Sequence, residues 1–102
     1  MVLRLRGGGG GFTATILNIA TQEKNRVSEI NYYSSFKAVQ EKIAKTIGCN
    51  GERVLITKIG NNAINEGYDE DSSINPHLEN FYDNTTIVYG IGLDFRDIIT
   101  CF

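Results

Sequence analysis

The chain has 102 residues, of which 41% are hydrophobic and 22% charged, with one Pro, two Cys and no Trp. That is the size of one domain, able to bury roughly 60–70% of its unfolded surface in a core without covalent staples. Ten basic residues stand against twelve acidic ones. The basic residues are scattered and form no stripe, which argues against nucleic acid as a partner, and the apolar runs fall far short of the ~20 residues of a membrane span.

Residues 1–11, MVLRLRGGGGG, end in five consecutive glycines and contain no apolar core of a secretory signal. They read as a flexible leader or linker. The composition is globular over residues 12–93, and residues 94–102 form a short C-terminal extension. Cys49 and Cys101 are too few for a disulfide framework, so the expected setting is cytoplasmic and/or nuclear, with reduced thiols.

Thr13–Ala20 alternates Thr15, Leu17 and Ile19 against Ala14, Ile16 and Asn18, which predicts a strand. Thr21–Asn25 is a polar turn, and Arg26–Tyr33 returns as the second arm of a hairpin, although its alternation is poor. Ser34 or Ser35 can cap the helix that follows. Phe36, Val39, Ile43 and Ile47 recur at helical spacing, Lys37, Gln40, Glu41, Lys42 and Lys45 occupy the rest, and Gly48 stands where a left-handed stop is wanted. Arg53–Ile59 is a third strand, Gly60-Asn61-Asn62 a turn, and Ala63-Ile64 a short fourth strand. Asn65–Pro76 is acidic and expected over the surface, His77–Asn84 is expected to hold a helical turn, and Thr85–Ile91 closes as a strand. One helix packed across one mixed sheet satisfies the layer rule for α+β domains, and the element order is that of the β-grasp fold.

The segment Leu3-Arg4-Leu5-Arg6-Gly7-Gly8 is identical to the C-terminal tail of ubiquitin. Extended Leu and Arg side chains suit a protease groove, and paired glycines thread a cleft that excludes side chains. The resemblance implies that deubiquitinases recognise this tail and cut after Gly8. A permanent linker and an added tag are the other readings of the leader. Downstream, residues 12–93 resemble the ubiquitin-like superfamily as a pattern. Arg53-Val54-Leu55-Ile56 and Asn84-Thr85-Thr86-Ile87-Val88-Tyr89 look like two of its strands, and Lys42 matches a helix lysine of the family.

Ubiquitin binds partners through an exposed Leu/Ile/Val patch. By this alignment its Ile corresponds to Leu55, its Val to Gly90 and the nearby His to Val88, giving a partner surface of Arg53, Leu55 and Val88. Loss of the Val side chain removes on the order of 1.5–3 kcal/mol of apolar contact. Ubiquitin-binding modules are therefore expected to bind weakly. The family's chain-forming lysine is replaced by Gly60 and Asn61, with Lys58 nearby, and the segment after the last strand carries no di-glycine for conjugation.

The implied function is that of a monomeric interaction domain, the downstream unit of a ubiquitin fusion. No cofactor, metal, nucleic acid or membrane is expected, and no catalysis. Cys49 follows a helix C-terminus, which disfavours a thiolate, and nothing places His77 beside it. The alternative is a PB1-like or Ras-association-like docking module that offers Asp69, Glu70 and Asp71 to a basic partner, with salt-sensitive binding as its signature.

Overall fold

The computed structural model describes residues 11–64, 67–78 and 85–92. Strand β1 spans Gly11–Asn18 and buries Phe12, Ala14, Ile16 and Asn18 on alternate positions. It ends two residues earlier than its β-propensity predicts, because Asn18 turns the chain. The Asn18 side-chain oxygen accepts from the backbone N–H of Ala20 at 2.8 Å and of Thr21 at 3.1 Å, offering those donors an alternative to the ladder.

Strand β2, Lys24–Asn31, pairs antiparallel with β1. Phe12 faces Ile30 but Ala14 faces Val27, so β2 carries one extra residue, and Glu29 sits there at φ 60°. The bulge accounts for the poor alternation of this stretch: Val27 and Ile30, three apart, both reach the core.

Helix α1, Phe36–Ile47, has both predicted ends. The Ser35 hydroxyl accepts from the Ala38 N–H at 3.1 Å, which selects Ser35 over Ser34 as the cap. Gly48 takes the left-handed conformation at φ 78° and donates its N–H to the Ala44 carbonyl at 2.7 Å. Phe36, Val39 and Ile43 are buried as expected, and Ile47 packs half-buried at the edge of the core.

A 3-10 turn, Gly51–Arg53, leads into β3, Val54–Ile59. Gly60 at φ 58° then turns the chain with Asn61, so β4 is Asn62–Ala63, paired Ile59 to Asn62 and Lys58 to Ala63. Asn62, expected in the turn, belongs to the strand, because a two-residue connection suits the strands' twist. A second 3-10 turn lies at Asn75–His77, and the helical turn expected within His77–Asn84 falls mostly on residues 79–84, which lie outside the described residues.

Strand β5, Thr85–Ile91, falls where predicted and takes the centre of the sheet, parallel to β1 and antiparallel to β3. The order is β2-β1-β5-β3-β4. Helix α1 covers one face, and Phe36, Val39 and Ile43 join Ile16, Ile56 and Tyr89 in one buried core, each large side chain contributing about 1.5–3 kcal/mol. The fold is the mixed-sheet β-grasp arrangement.

Candidate functional site

Among the described residues no α-helix other than α1 packs on the sheet, and its second face is turned away from α1. Alternation sends Leu17 of β1 and Val88 of β5 to this face, and the parallel register sets them side by side. Lys24 of β2 pairs with Leu17, and Lys58 of β3 pairs with Val88. A single row therefore crosses four strands as Lys24, Leu17, Val88, Lys58. The strand spacing puts its two ends about 14 Å apart. Leu55 pairs with Gly90 one step along, and Arg26 pairs with Thr15 one step the other way. Leu17, Leu55 and Val88 are partly buried, while Lys24, Arg26 and Lys58 are exposed.

Of the predicted surface residues, Leu55 and Val88 meet here, and Arg53 ends the 3-10 turn just before Leu55. Leu17 was missed as a member. Its parity within β1 was legible, but its neighbour was not, since that depends on which strand lies beside β1. Leu17 supplies an apolar partner to Val88 where Gly90 supplies no side chain.

On the helix side, the connector is anchored more firmly than its polar composition predicts. Ile74 is fully buried, and the Tyr68 ring stacks on Phe36 with centroids 4.1 Å apart. The first N–H groups of α1, which lack partners within the helix, donate to this connector: Phe36 to the Ser72 carbonyl and Lys37 to the Glu70 carbonyl, both at 2.9 Å. The Ile74 N–H donates in turn to the Ser34 carbonyl at 2.8 Å.

Gln40, expected on the polar face of α1, is 1% exposed, a correction of the sequence-based placement. Its amide nitrogen donates to a Glu70 carboxylate oxygen at 2.9 Å and to the Gly51 carbonyl at 3.2 Å. Its amide oxygen accepts from the Tyr68 hydroxyl, whose own oxygen accepts the Ile56 N–H at 2.9 Å. Desolvation by burial pushes the Tyr68 hydroxyl up to about 12; the hydrogen bond from Ile56 opposes this and the charge of Glu70 adds to it. The signal for Gln40 was its place four residues after Phe36, in the same helical row.

Asp69, Glu70 and Asp71 remain exposed on this anchored connector, so the predicted acidic trio is held against the start of α1. Glu41 and Glu52 are exposed beside it, and they line one shallow pocket with Glu70, Gln40, Gly51 and the cation Lys37.

Cys49 and His77 are not brought together. The Cys49 thiol follows the C-terminus of α1 and contacts the Asn50 carbonyl at 3.6 Å, whereas the His77 ring meets the edge of Phe36 at the helix start. Tyr32 stacks on Phe12, leaving Tyr33 72% exposed. No helix among the described residues is long and apolar enough to cross a membrane. The tail residues Leu3 to Gly8, the extension 94–102 and Cys101 lie outside the described residues.

No protein-family model and no curated protein sequence matches the chain. Solved structures do. The ubiquitin-like domain of the Arabidopsis thaliana protein At2g32350 superposes with a TM-score of 0.63 at 12% identity, over 89% of this chain and 87% of that one. SUMO from Trypanosoma brucei gives 0.51 at 13%, over 91% and 82%. A chain in the crystal structure of a pParkin–pUb–UbcH7 complex gives 0.62 at 19%, over 83% of this chain and 24% of that one, so this chain spans about a quarter of it. At these identities the likeness carries the fold: the chain has the ubiquitin-like β-grasp architecture.

Proposed function

We propose that this chain is a ubiquitin-like protein-interaction domain that engages proteins of the ubiquitin system through the outer face of its sheet. The observation that carries the reading is the cross-strand row Lys24–Leu17–Val88–Lys58 with Leu55 beside it, an apolar strip between cations. Apolar centres with polar rims are the usual anatomy of a transient docking surface. The strip lies one step along the strands from the position that the ubiquitin resemblance implies, which favours weak or altered recognition by ubiquitin-binding modules. The Leu3-Arg4-Leu5-Arg6-Gly7-Gly8 tail supports the further reading that the domain is the downstream unit of a ubiquitin fusion, cut after Gly8 by deubiquitinases in the cytoplasm or nucleus.

Two measurements test this. Complete ubiquitin is joined upstream of the tail and treated with a broad deubiquitinase, and the products are read by intact mass. Release of a species beginning at Gly9 is expected, and a fusion that stays whole beside a cleaved control removes the precursor reading. Titration of the isotope-labelled chain with ubiquitin-binding modules is then followed by NMR. Shifts centred on Leu17, Leu55 and Val88 are expected, and shifts confined to the helix side would move the site elsewhere.

A second reading, docking of the acidic connector onto a basic partner, is supported by the anchoring of Asp69, Glu70 and Asp71 against α1 through the Glu70 carbonyl and carboxylate. Reversing these charges without loss of any partner would remove it.

A further inference from the structure

Where the C-terminus of α1 meets the sheet, the helix side opens in a cleft of about 250 Å³. Asn18 of β1, Asn25 of β2 and Tyr89 of β5 line it from the sheet, and Ile47 and Cys49 line it from the end of α1. Strand register places the first three: Asn18 pairs with Tyr89 and Asn25 with Ile16, which puts them on the side opposite Leu17 and Val88. Glu23 and Ile91 complete the lining. We propose that this cleft binds an alkylammonium group, a single primary ammonium on an aliphatic stem, as carried by a lysine side chain or a free amine.

The polar groups are those such a cation needs. Glu23 contributes a carboxylate, and among the described residues no lysine or arginine lines the cleft. The loop holds Glu23 in place: its carbonyl accepts the Asn18 N–H at 2.9 Å, and one carboxylate oxygen lies 3.4 Å from the Thr21 hydroxyl. Tyr89 is 1% exposed and its hydroxyl is bonded to the Asn18 side chain. The Asn18 oxygen is already taken by the Ala20 and Thr21 N–H groups, so its amide nitrogen is the donor and the phenolic oxygen accepts. Burial keeps that phenol neutral; the bond from Asn18 opposes this, and the charges of Glu23 and Cys49 add to it. The helix end has the matching polarity. The Gly48 and Cys49 N–H groups both donate to the Ala44 carbonyl, and the carbonyls after it have no partner within the helix, which favours a cation there.

The shape selects the stem and the head. Ile47 and Ile91 offer apolar walls along which methylenes can lie while the charged head stays near Glu23 and water. The cleft is smaller than the roughly 300–1,000 Å³ of a site for a drug-sized ligand, so it suits one side-chain-sized group. One Glu23 oxygen is turned to Thr21, which leaves an incomplete match for the planar guanidinium fork. Neutral acceptors around a single carboxylate instead suit the three freely turning donors of an ammonium. The cleft lies across the sheet from the Leu17–Val88 strip, so this inference goes beyond the proposed function and is tested separately from it.

The test is an NMR titration of the isotope-labelled full chain in about 0.05 M salt. Three probes are compared: Nα-acetyl-lysine N-methylamide, its norleucine counterpart, which keeps an aliphatic stem and lacks the ammonium, and n-butylamine. Both amines are expected to shift the backbone amides of Asn18, Glu23, Asn25, Cys49 and Ile91 to saturation, and the norleucine compound is not. Tighter binding of the lysine compound assigns the cleft to a peptide lysine, and tighter binding of butylamine assigns it to a free amine; either result supports the site.

Glu23→Gln, an exposed and nearly isosteric change, is expected to weaken both amines about five-fold or more with unchanged circular dichroism. Asn25→Asp adds a second carboxylate at an exposed position and is expected to tighten them, a gain that misfolding cannot imitate. Raising salt to about 0.5 M is expected to weaken binding to the unaltered chain. Absence of saturable shifts from either amine up to about 50 mM overturns the proposal. So does equal binding of the lysine and norleucine compounds, or amine binding that ignores both Glu23→Gln and Asn25→Asp. Shifts centred on Leu17, Leu55 and Val88 also overturn it, while leaving the outer face as a docking surface intact.

Discussion

Tyr68 donates its hydroxyl proton to the Gln40 amide oxygen at 2.6 Å, joining the acidic connector to the helix across 28 positions of chain. The same hydroxyl accepts the Ile56 N–H of β3, and the same amide donates to Glu70. Helix, sheet and connector therefore share one partly buried polar chain whose members satisfy one another.

Removing either member breaks this hydrogen bond in a partly buried site shielded from bulk water. Gln40→Leu and Tyr68→Phe are each expected to destabilise the domain by about 1–3 kcal/mol. The double variant should lose less than the sum, a coupling of about 0.5–3 kcal/mol. Urea unfolding of the four proteins of the cycle checks this, and strict additivity would show the two side chains to be independent.

The Tyr68 hydroxyl also sets a pH dependence. Its folded value is raised to about 12 from an unfolded value of about 10, so folding favours the neutral phenol. That contribution is fully present below pH 10 and is lost as pH rises from 10 towards 12. Tyr89 is shifted in the same direction by burial, with a hydrogen bond to Asn18 opposing it. Denaturant midpoints are expected to fall across this alkaline range, with a smaller fall in Tyr68→Phe.

Ile74 is the buried anchor of a segment whose sequence reads as surface. Ile74→Ala is expected to cost about 2–5 kcal/mol, the penalty of a core cavity, and Ile74→Val about 0.5–1.5 kcal/mol. Thermal unfolding distinguishes this from a solvated loop, where both changes would stay within about 0.5 kcal/mol.

Two left-handed residues behave oppositely. Glu29 holds the β2 bulge at φ 60°, where a side chain is strained by about 1–2 kcal/mol. Glu29→Gly relieves that strain but adds the entropic cost of a glycine, about 0.5–1 kcal/mol, so a net gain of up to about 1 kcal/mol is expected. Gly48 already has the residue its φ of 78° favours, with nothing within 4 Å of an added Cβ. Gly48→Ala is therefore expected to cost about 1 kcal/mol through backbone strain alone. Melting temperatures should move in opposite directions, by about 4–8 °C per kcal/mol for a domain of this size.

Local chemistry made much of the architecture legible. The Phe36, Val39, Ile43 spacing with a serine before and Gly48 after specified α1, since a helix is closed by hydrogen bonds and caps within a few residues. Thr85–Ile91 and Arg53–Ile59 read as strands from their own β-branched runs, and the order of elements pointed to the fold. Only the tertiary structure decided the rest. Leu17 and Val88 became neighbours through a parallel register between distant strands, the Val27–Ile30 spacing was reconciled by a bulge, and Gln40 and Ile74 were drawn inward by the connector docking on α1. Each of these depends on which groups from far along the chain arrive to fill a hydrogen bond or a cavity, and no periodicity within a single segment encodes that.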